Sequence, residues 1–196
     1  MAEVVELLLR NQINKLIIMK YWPVPDSYTK NIPADGSSGS FWEDRGDRFH
    51  CGIDIYAPEG SKVLSIDNGK VIKTGIFTSP KQIPYWNQTK FIIIKTQKNI
   101  FFKYAELKDI AVKEKEIVKI GQIIGHVGTV LNLDKINDRS PKYIQDLKNS
   151  RKSAMLHLEV YTSKPENSKK YLGGNWFEKN KPKNLINPKI FIRDYK

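Results

Sequence analysis

Between Ser61 and Gly128 the chain is written as short apolar runs broken every few residues by turn signals. This rhythm restricts the fold more than any other feature. The runs "KVLSI" and "KVIKTGIF" flank Asp67-Asn68-Gly69, a pattern that predicts a tight hairpin turn. "KFIIIKT" and "IFFKYAEL" flank "QKN" and predict a second hairpin, while "EIVKIGQIIGHVG" supplies two more short strands about Gly121. Strands this short and closely spaced imply a mainly β fold, an antiparallel barrel or sandwich. Further on, "LHLEVY" returns to strand alternation, and a loop rich in Lys, Asn and Gly leads to "NLINPKIFI". There is no internal repeat of solenoid type.

The flanks read differently. In residues 1–20, Val4, Leu7, Leu8, Ile13 and Ile17 fall near helical spacing, which predicts an amphipathic helix that packs on the domain or on a protein partner. Glu3, Glu6, Arg10, Asn11, Asn14 and Lys15 interrupt the apolar run, so it makes no membrane span, and it lacks the order of a signal peptide. The expected division is therefore a helix over 1–20 and one domain over 21–196. Residues 21–46 are rich in Pro, Gly, Ser and Asp and read as an ordered loop pinned by Trp22 and Trp42. "SPKYIQDLKNSRKSAM" places Tyr143, Ile144 and Leu147 at helical spacing after a Ser-Pro start, which predicts a helix of about two to three turns near 140–152.

A chain of 196 residues with 40% hydrophobic residues can bury a core without metal or disulfide, so disorder is excluded as a description. The net charge of +12 points toward polyanions, and a polyanion-binding domain is one function class to weigh. The lysines are scattered and not gathered into one arm, so nucleic acid is not the expected partner. The lone Cys51 forbids an internal disulfide and reads as a small apolar filler beside a strand.

The chemistry begins in "FHCGIDIYAPEG". On a regular strand, His50 and Asp54 would stand about 13 Å apart at roughly 3.3 Å per residue. Two ligands of one zinc ion must approach within about 3 to 4 Å, since each bond is near 2 Å. Gly52 is the residue that could bend the backbone and close that gap. Taken alone, the pair fits either a metal site or a histidine capping a strand. In "AMLHLEVY", period-two alternation puts Leu156, Leu158 and Val160 on one face and Met155, His157, Glu159 and Tyr161 on the other. The apolar face belongs in the core, so His157 projects opposite it, as a ligand or as a half-exposed strand histidine. His126, in "IGHVG", reads as structural.

Taken in order, "RFHCGIDIYAPEGSKVLSIDNGKVI", "FFKYAELKDIAVKEKEIVKIGQIIGHVG", "LHLEVY" and "LINP" resemble the lysostaphin-like zinc metallopeptidases, the glycyl-glycine and LytM-type endopeptidases that cut peptidoglycan peptides. The resemblance runs from about Trp22 to Pro188. It implies a β-rich duplicated hybrid motif (a barrel-sandwich hybrid) with an open groove, one zinc ion, a peptide or peptidoglycan-like substrate, and a cell-envelope or secreted setting. It places the family's H-x-x-x-D motif on His50 and Asp54 and the second histidine of H-x-H on His157. Two nitrogens and one carboxylate oxygen leave a fourth position for water, the arrangement of a catalytic zinc site.

Two departures stand out. The first histidine of H-x-H falls at Met155, whose thioether cannot take a proton, and the histidine of the family's Tyr-x-His-Leu segment falls at Glu106 of "YAEL". Glu106 could act as a general base beside the metal, close the zinc shell as a fourth ligand, or mark a degenerate domain that binds wall peptides or regulates another hydrolase. The loss of two imidazoles, together worth about a hundredfold or more in rate, points to impaired hydrolysis. Finally, residues 129–154 form an insertion where the family has a short connection. It is expected to lie over the groove as a lid or a partner-docking surface.

Overall fold

The structure is a computed structural model that describes residues 21–140, 142–150 and 153–192. The helix expected over residues 1–20 lies outside them. The strands are β1 (Phe49–His50), β2 (Ile53–Tyr56), β3 (Lys62–Leu64), β4 (Gly69–Ile76), β5 (Lys90–Thr96), β6 (Phe101–Ile110), β7 (Ile117–Val118), β8 (Ile123–Thr129), β9 (Ala154–Tyr161), β10 (Tyr171–Leu172), β11 (Asn175–Trp176) and β12 (Leu185–Ile186), and the helix α1 covers Lys142–Ser150. The larger sheet runs β12-β9-β8-β6-β5-β4-β7, with β2 paired to β9 and β3 to β8, and the smaller runs β1-β11-β10. The fold is the mainly β, antiparallel class read from the strand rhythm. Among the described residues no helix is long and apolar enough to cross a membrane.

One of the two hairpin readings is corrected. "QKN" does join a hairpin, with Lys95 opposite Phe101. Asp67-Asn68 turns the chain, but the strands it joins do not pair with each other: β3 pairs with β8, whereas β4 pairs with β5 and β7. The turn is tied instead to the one at Ile120-Gly121, because the Asn68 side chain accepts the Ile120 N–H at 2.9 Å. A local turn signal reports a reversal of the chain and not which neighbour offers the better face.

Alternation along β5 explains the layers. Ile92 and Ile94 enter the main core with Phe102, Tyr104, Leu107, Leu156 and Leu158, whereas Ile93 joins a second cluster with Cys51, Phe101, Tyr161 and Leu185 on the opposite face. Both faces of the central strands are therefore covered, and β9 is buried along nearly its whole length. Trp22 is buried and donates to Ser27 Oγ, and Trp42 stacks on Phe49 at 4.8 Å, so both tryptophans anchor the 21–46 loop.

At Glu106 the strand β6 changes partner. Phe101–Ala105 pair with β9, while Leu107–Ile110 pair with β8. The switch is made at a left-handed residue, since Glu106 has φ of 62°. Lys103 and Ala105 share a face with Glu159 and His157, their direct partners, so simple alternation would put Glu106 in the core with Tyr104. The left-handed backbone breaks that alternation and turns its side chain to the face that carries Asp54.

The expected helix is present as α1. The segment around it packs through Val130, Leu131, Ile136 and Ile144 on Trp86, forming a third apolar cluster apart from the main core.

Candidate metal centre

His50 ends the two-residue strand β1, which pairs with β11, and Asp54 lies in β2, which pairs with β9 and sets Asp54 directly opposite His157. The chain changes sheets at Cys51-Gly52, so the regular rise along one strand does not separate His50 from Asp54. His50 Nε2 and Asp54 Oδ1 are 3.1 Å apart, His50 Nε2 and His157 Nδ1 3.0 Å, and His157 Nδ1 and Asp54 Oδ1 2.9 Å. Among the described residues these three are the group whose donor atoms converge tightly enough to hold a metal ion.

Gly52 lies at the bend between the two sheets and also serves this geometry by close approach. A Cβ there would lie 2.4 Å from the Leu158 carbonyl oxygen and 3.0 Å from His157 Cε1, so only glycine lets the chain run across β9 at this point. Gly174 backs His157 from the other side, where its φ of 79° suits glycine and a Cβ would come within 2.7 Å of the imidazole.

The donor set fits a zinc ion. The Nδ1 of His50 lies 2.8 Å from the Ser40 carbonyl, which can only accept, so the proton sits on Nδ1 and the Nε2 lone pair faces the triad. The Nε2 of His157 lies 2.9 Å from Glu159 Oε1, which leaves its Nδ1 lone pair facing the triad too. Arg45 approaches the second oxygen of Asp54 at 3.5 Å and leaves Oδ1 to the cluster. Three acceptors thus point at one spot in a buried site, an arrangement that a cation, or a proton in its place, makes favourable.

The titration of the groups carries the same message. Burial lowers the His50 pKa against the pull of Asp54, so this ring stays neutral. Burial would lower His157 as well, but its hydrogen bonds to Asp54 and Glu159 outweigh that and push it up to about 9. Burial opposes the charge on Asp54, yet the two histidines hold its carboxyl well below the usual carboxylate range.

Glu106 stands on the wall of an adjoining cavity of 560 Å³ together with Asp54, Tyr56 and Met155, but its carboxylate is not one of the three converging donors. It is 8% exposed, and its Oε2 has no hydrogen-bond partner. Burial, with the Asp54 charge adding to it, raises its pKa to about 8. Val130, Leu131 and Ile144 of the insertion also line this cavity. His126 is elsewhere, with Nδ1 2.7 Å from Asp109, and Cys51 is a buried filler whose thiol is pushed up by burial.

The reading of the residues missed Arg45, Lys103 and the segment 171–176 that passes over His157. None sits in a recognisable pattern; Arg45 lies only five residues before His50, whereas Lys103 and the 171–176 segment reach the site from distant parts of the chain. Glu159 was visible only as a neighbour on the His157 face.

Among solved structures, the catalytic domain of lysostaphin from Staphylococcus simulans is similar at 20% identity, covering 66% of this chain and 81% of that one, with a TM-score of 0.46. The catalytic domain of the prophage-encoded M23 protein EnpA from Enterococcus faecalis, in a mutant form, is similar at 20% identity over 80% of this chain and 87% of that one, with a TM-score of 0.46. Csd3 from Helicobacter pylori is similar at 25% identity over 72% of this chain, with a TM-score of 0.42, and the match spans 32% of its length. No curated protein sequence matches. The model of peptidase family M23 matches residues 48–168, more than half of the chain, and this span contains His50, Asp54, Glu106 and His157. That match makes the chain a member of peptidase family M23.

Proposed function

We propose that the chain binds one zinc ion through His50 Nε2, Asp54 Oδ1 and His157 Nδ1, and that its groove takes a peptide of the peptidoglycan kind with hydrolysis impaired or altered relative to the family pattern. The observation that carries this is the convergence of three buried donor atoms within 3.1 Å of one another, with the far nitrogen of each imidazole engaged by an acceptor so that the near nitrogen is left to a cation. A zinc ion there would supply Lewis acidity and a lowered water pKa.

The residues divide the remaining work. Leu131 and Ile144 of the insertion line the cavity beside Asp54 and Glu106. Glu106 is the titratable group on the cavity wall, positioned to hold a proton or to close the shell as a fourth ligand. Met155, beside it in the cavity, can hold no proton. A second reading, a non-catalytic domain that binds wall peptides or regulates a hydrolase, draws support from the segment carrying Gly174, which lies against His157.

Elemental analysis of protein purified without added metal, followed by zinc titration of wild type and Glu106→Gln, tests the proposal. About one zinc ion per chain with unchanged affinity in the variant leaves an open position, and assays on glycine-rich and wall peptides then decide between hydrolysis and binding. A marked fall in affinity makes Glu106 a fourth ligand and the site structural. Absence of zinc from both proteins refutes the metal reading.

A further inference from the structure

The ligands and Glu106 leave unexplained the buried charges behind His157. Glu159 follows two residues later on the same face of β9, and it is wholly buried. A lone carboxylate in that position would be costly, yet here each oxygen receives two donors. Oε1 accepts from His157 Nε2 at 2.9 Å and from the Tyr171 hydroxyl, and Oε2 accepts from Lys103 Nζ at 3.2 Å and from the Tyr161 hydroxyl.

Lys103 is the direct cross-strand partner of Glu159 and is itself nearly buried. Its ammonium also donates to the Tyr171 hydroxyl and lies over the rings of Phe77 at 4.9 Å and Tyr171 at 4.1 Å. Tyr171 in turn accepts the Gly174 N–H at 3.1 Å, and Gly174 is the residue packed against the His157 imidazole. The segment that passes over the ring and the carboxylate behind the ring are thus held by one hydroxyl.

We propose that Glu159, clamped by Lys103, Tyr161 and Tyr171, is the positioning residue that fixes the ring of His157 as an Nδ1 metal donor. A carboxylate on the far nitrogen of a ligating imidazole sets its tautomer, stops the ring from turning and makes the near nitrogen a stronger donor. Lys103 supplies the balancing charge that lets this carboxylate remain ionised in a dry interior. His50 has the neutral version of the same device, the Ser40 carbonyl, so the two imidazoles are held by supports of different strength.

The inference rests on zinc binding at His50, Asp54 and His157. Zinc affinity is measured by competition with a chromophoric chelator, and the visible absorption of the cobalt(II)-loaded protein reports the ligand field. Glu159→Gln keeps the shape and removes the charge. It should lower zinc affinity by about 10- to 100-fold and shift the cobalt bands, while His126→Ala, whose ring pairs with Asp109 outside the ligand group, leaves both unaltered.

Because Glu159→Gln leaves Lys103 unpaired, Lys103→Met combined with Glu159→Gln is measured beside it, with folding followed by circular dichroism. The double variant removes the whole charge pair and should show the same weakened affinity. Zinc affinity within twofold of wild type in either folded variant overturns the positioning role while leaving the metal site intact. A wild-type chain that takes up no zinc, or a His157→Ala variant that retains wild-type affinity, overturns the metal reading and this inference with it.

Discussion

At the scale of single residues, the site depends on three side chains that no short segment could bring together. His50→Ala and His157→Ala should each abolish stoichiometric zinc binding, whereas His126→Ala, whose ring pairs with Asp109, should bind like wild type; a chelator competition titration separates the three. Glu106 predicts a pH effect in metal-free protein. Its folded pKa, raised to about 8 by burial and by Asp54, exceeds the usual 4.5, so the folded state holds the proton more tightly than the unfolded one. The stability from this group is full below the unfolded value and falls as pH rises from about 4.5 to 8. Glu106→Gln removes that loss, so in chelator-treated buffer the variant should gain on wild type across this window, and a constant difference in urea midpoints would refute it. Gly52→Ala should destabilise by about 1–3 kcal/mol or more in urea unfolding, because its Cβ would meet the Leu158 carbonyl oxygen at 2.4 Å. Sequence pattern singled out Gly52 for a bend, which is present, but could not show the close passage against the Leu158 carbonyl, which depends on β9.

At the scale of elements, the sheet and the insertion are separable. The main core is built by β5, β6 and β9 with their partners, while Val130, Leu131, Ile136 and Ile144 pack on Trp86 in a cluster of their own. Ile144→Asp should therefore release the 129–154 segment to limited proteolysis while leaving the unfolding midpoint of the sheet within about 0.5 kcal/mol of the parent. Loss of the whole cooperative transition would show instead that the insertion is part of the core. The strands and α1 were legible because apolar spacing is a local property. The pairing of β3 with β8 was not, because the Asp67-Asn68 turn constrains only the residues beside it. Glu106 shows the same limit: its motif position was visible, but its left-handed backbone, which sends the side chain to the groove, arises where β6 leaves β9 for β8.

At the scale of the whole molecule, the proposed zinc ion would link metal to fold. If zinc binds only the folded chain, free zinc at about 1,000 times its dissociation constant adds about 4 kcal/mol of stability. Stripping the metal should then lower the melting temperature by roughly 8–16 °C for a chain of this size, and calorimetry with and without chelator measures it. An unchanged melting temperature would count against a bound metal in the folded state. The sequence by itself determined the class of fold, the membership that the M23 match displays, and the residue types offered to a cation, because apolar period and motif order are written along the chain. Only the tertiary structure decided that His50, Asp54 and His157 meet within 3.1 Å, that Glu106 stands beside them without joining them, and that Lys103 and Tyr171 brace Glu159 behind the ring. The physical reason is that hydrogen-bond reach and desolvation act through space, and the partners of these groups come from strands far apart in the chain.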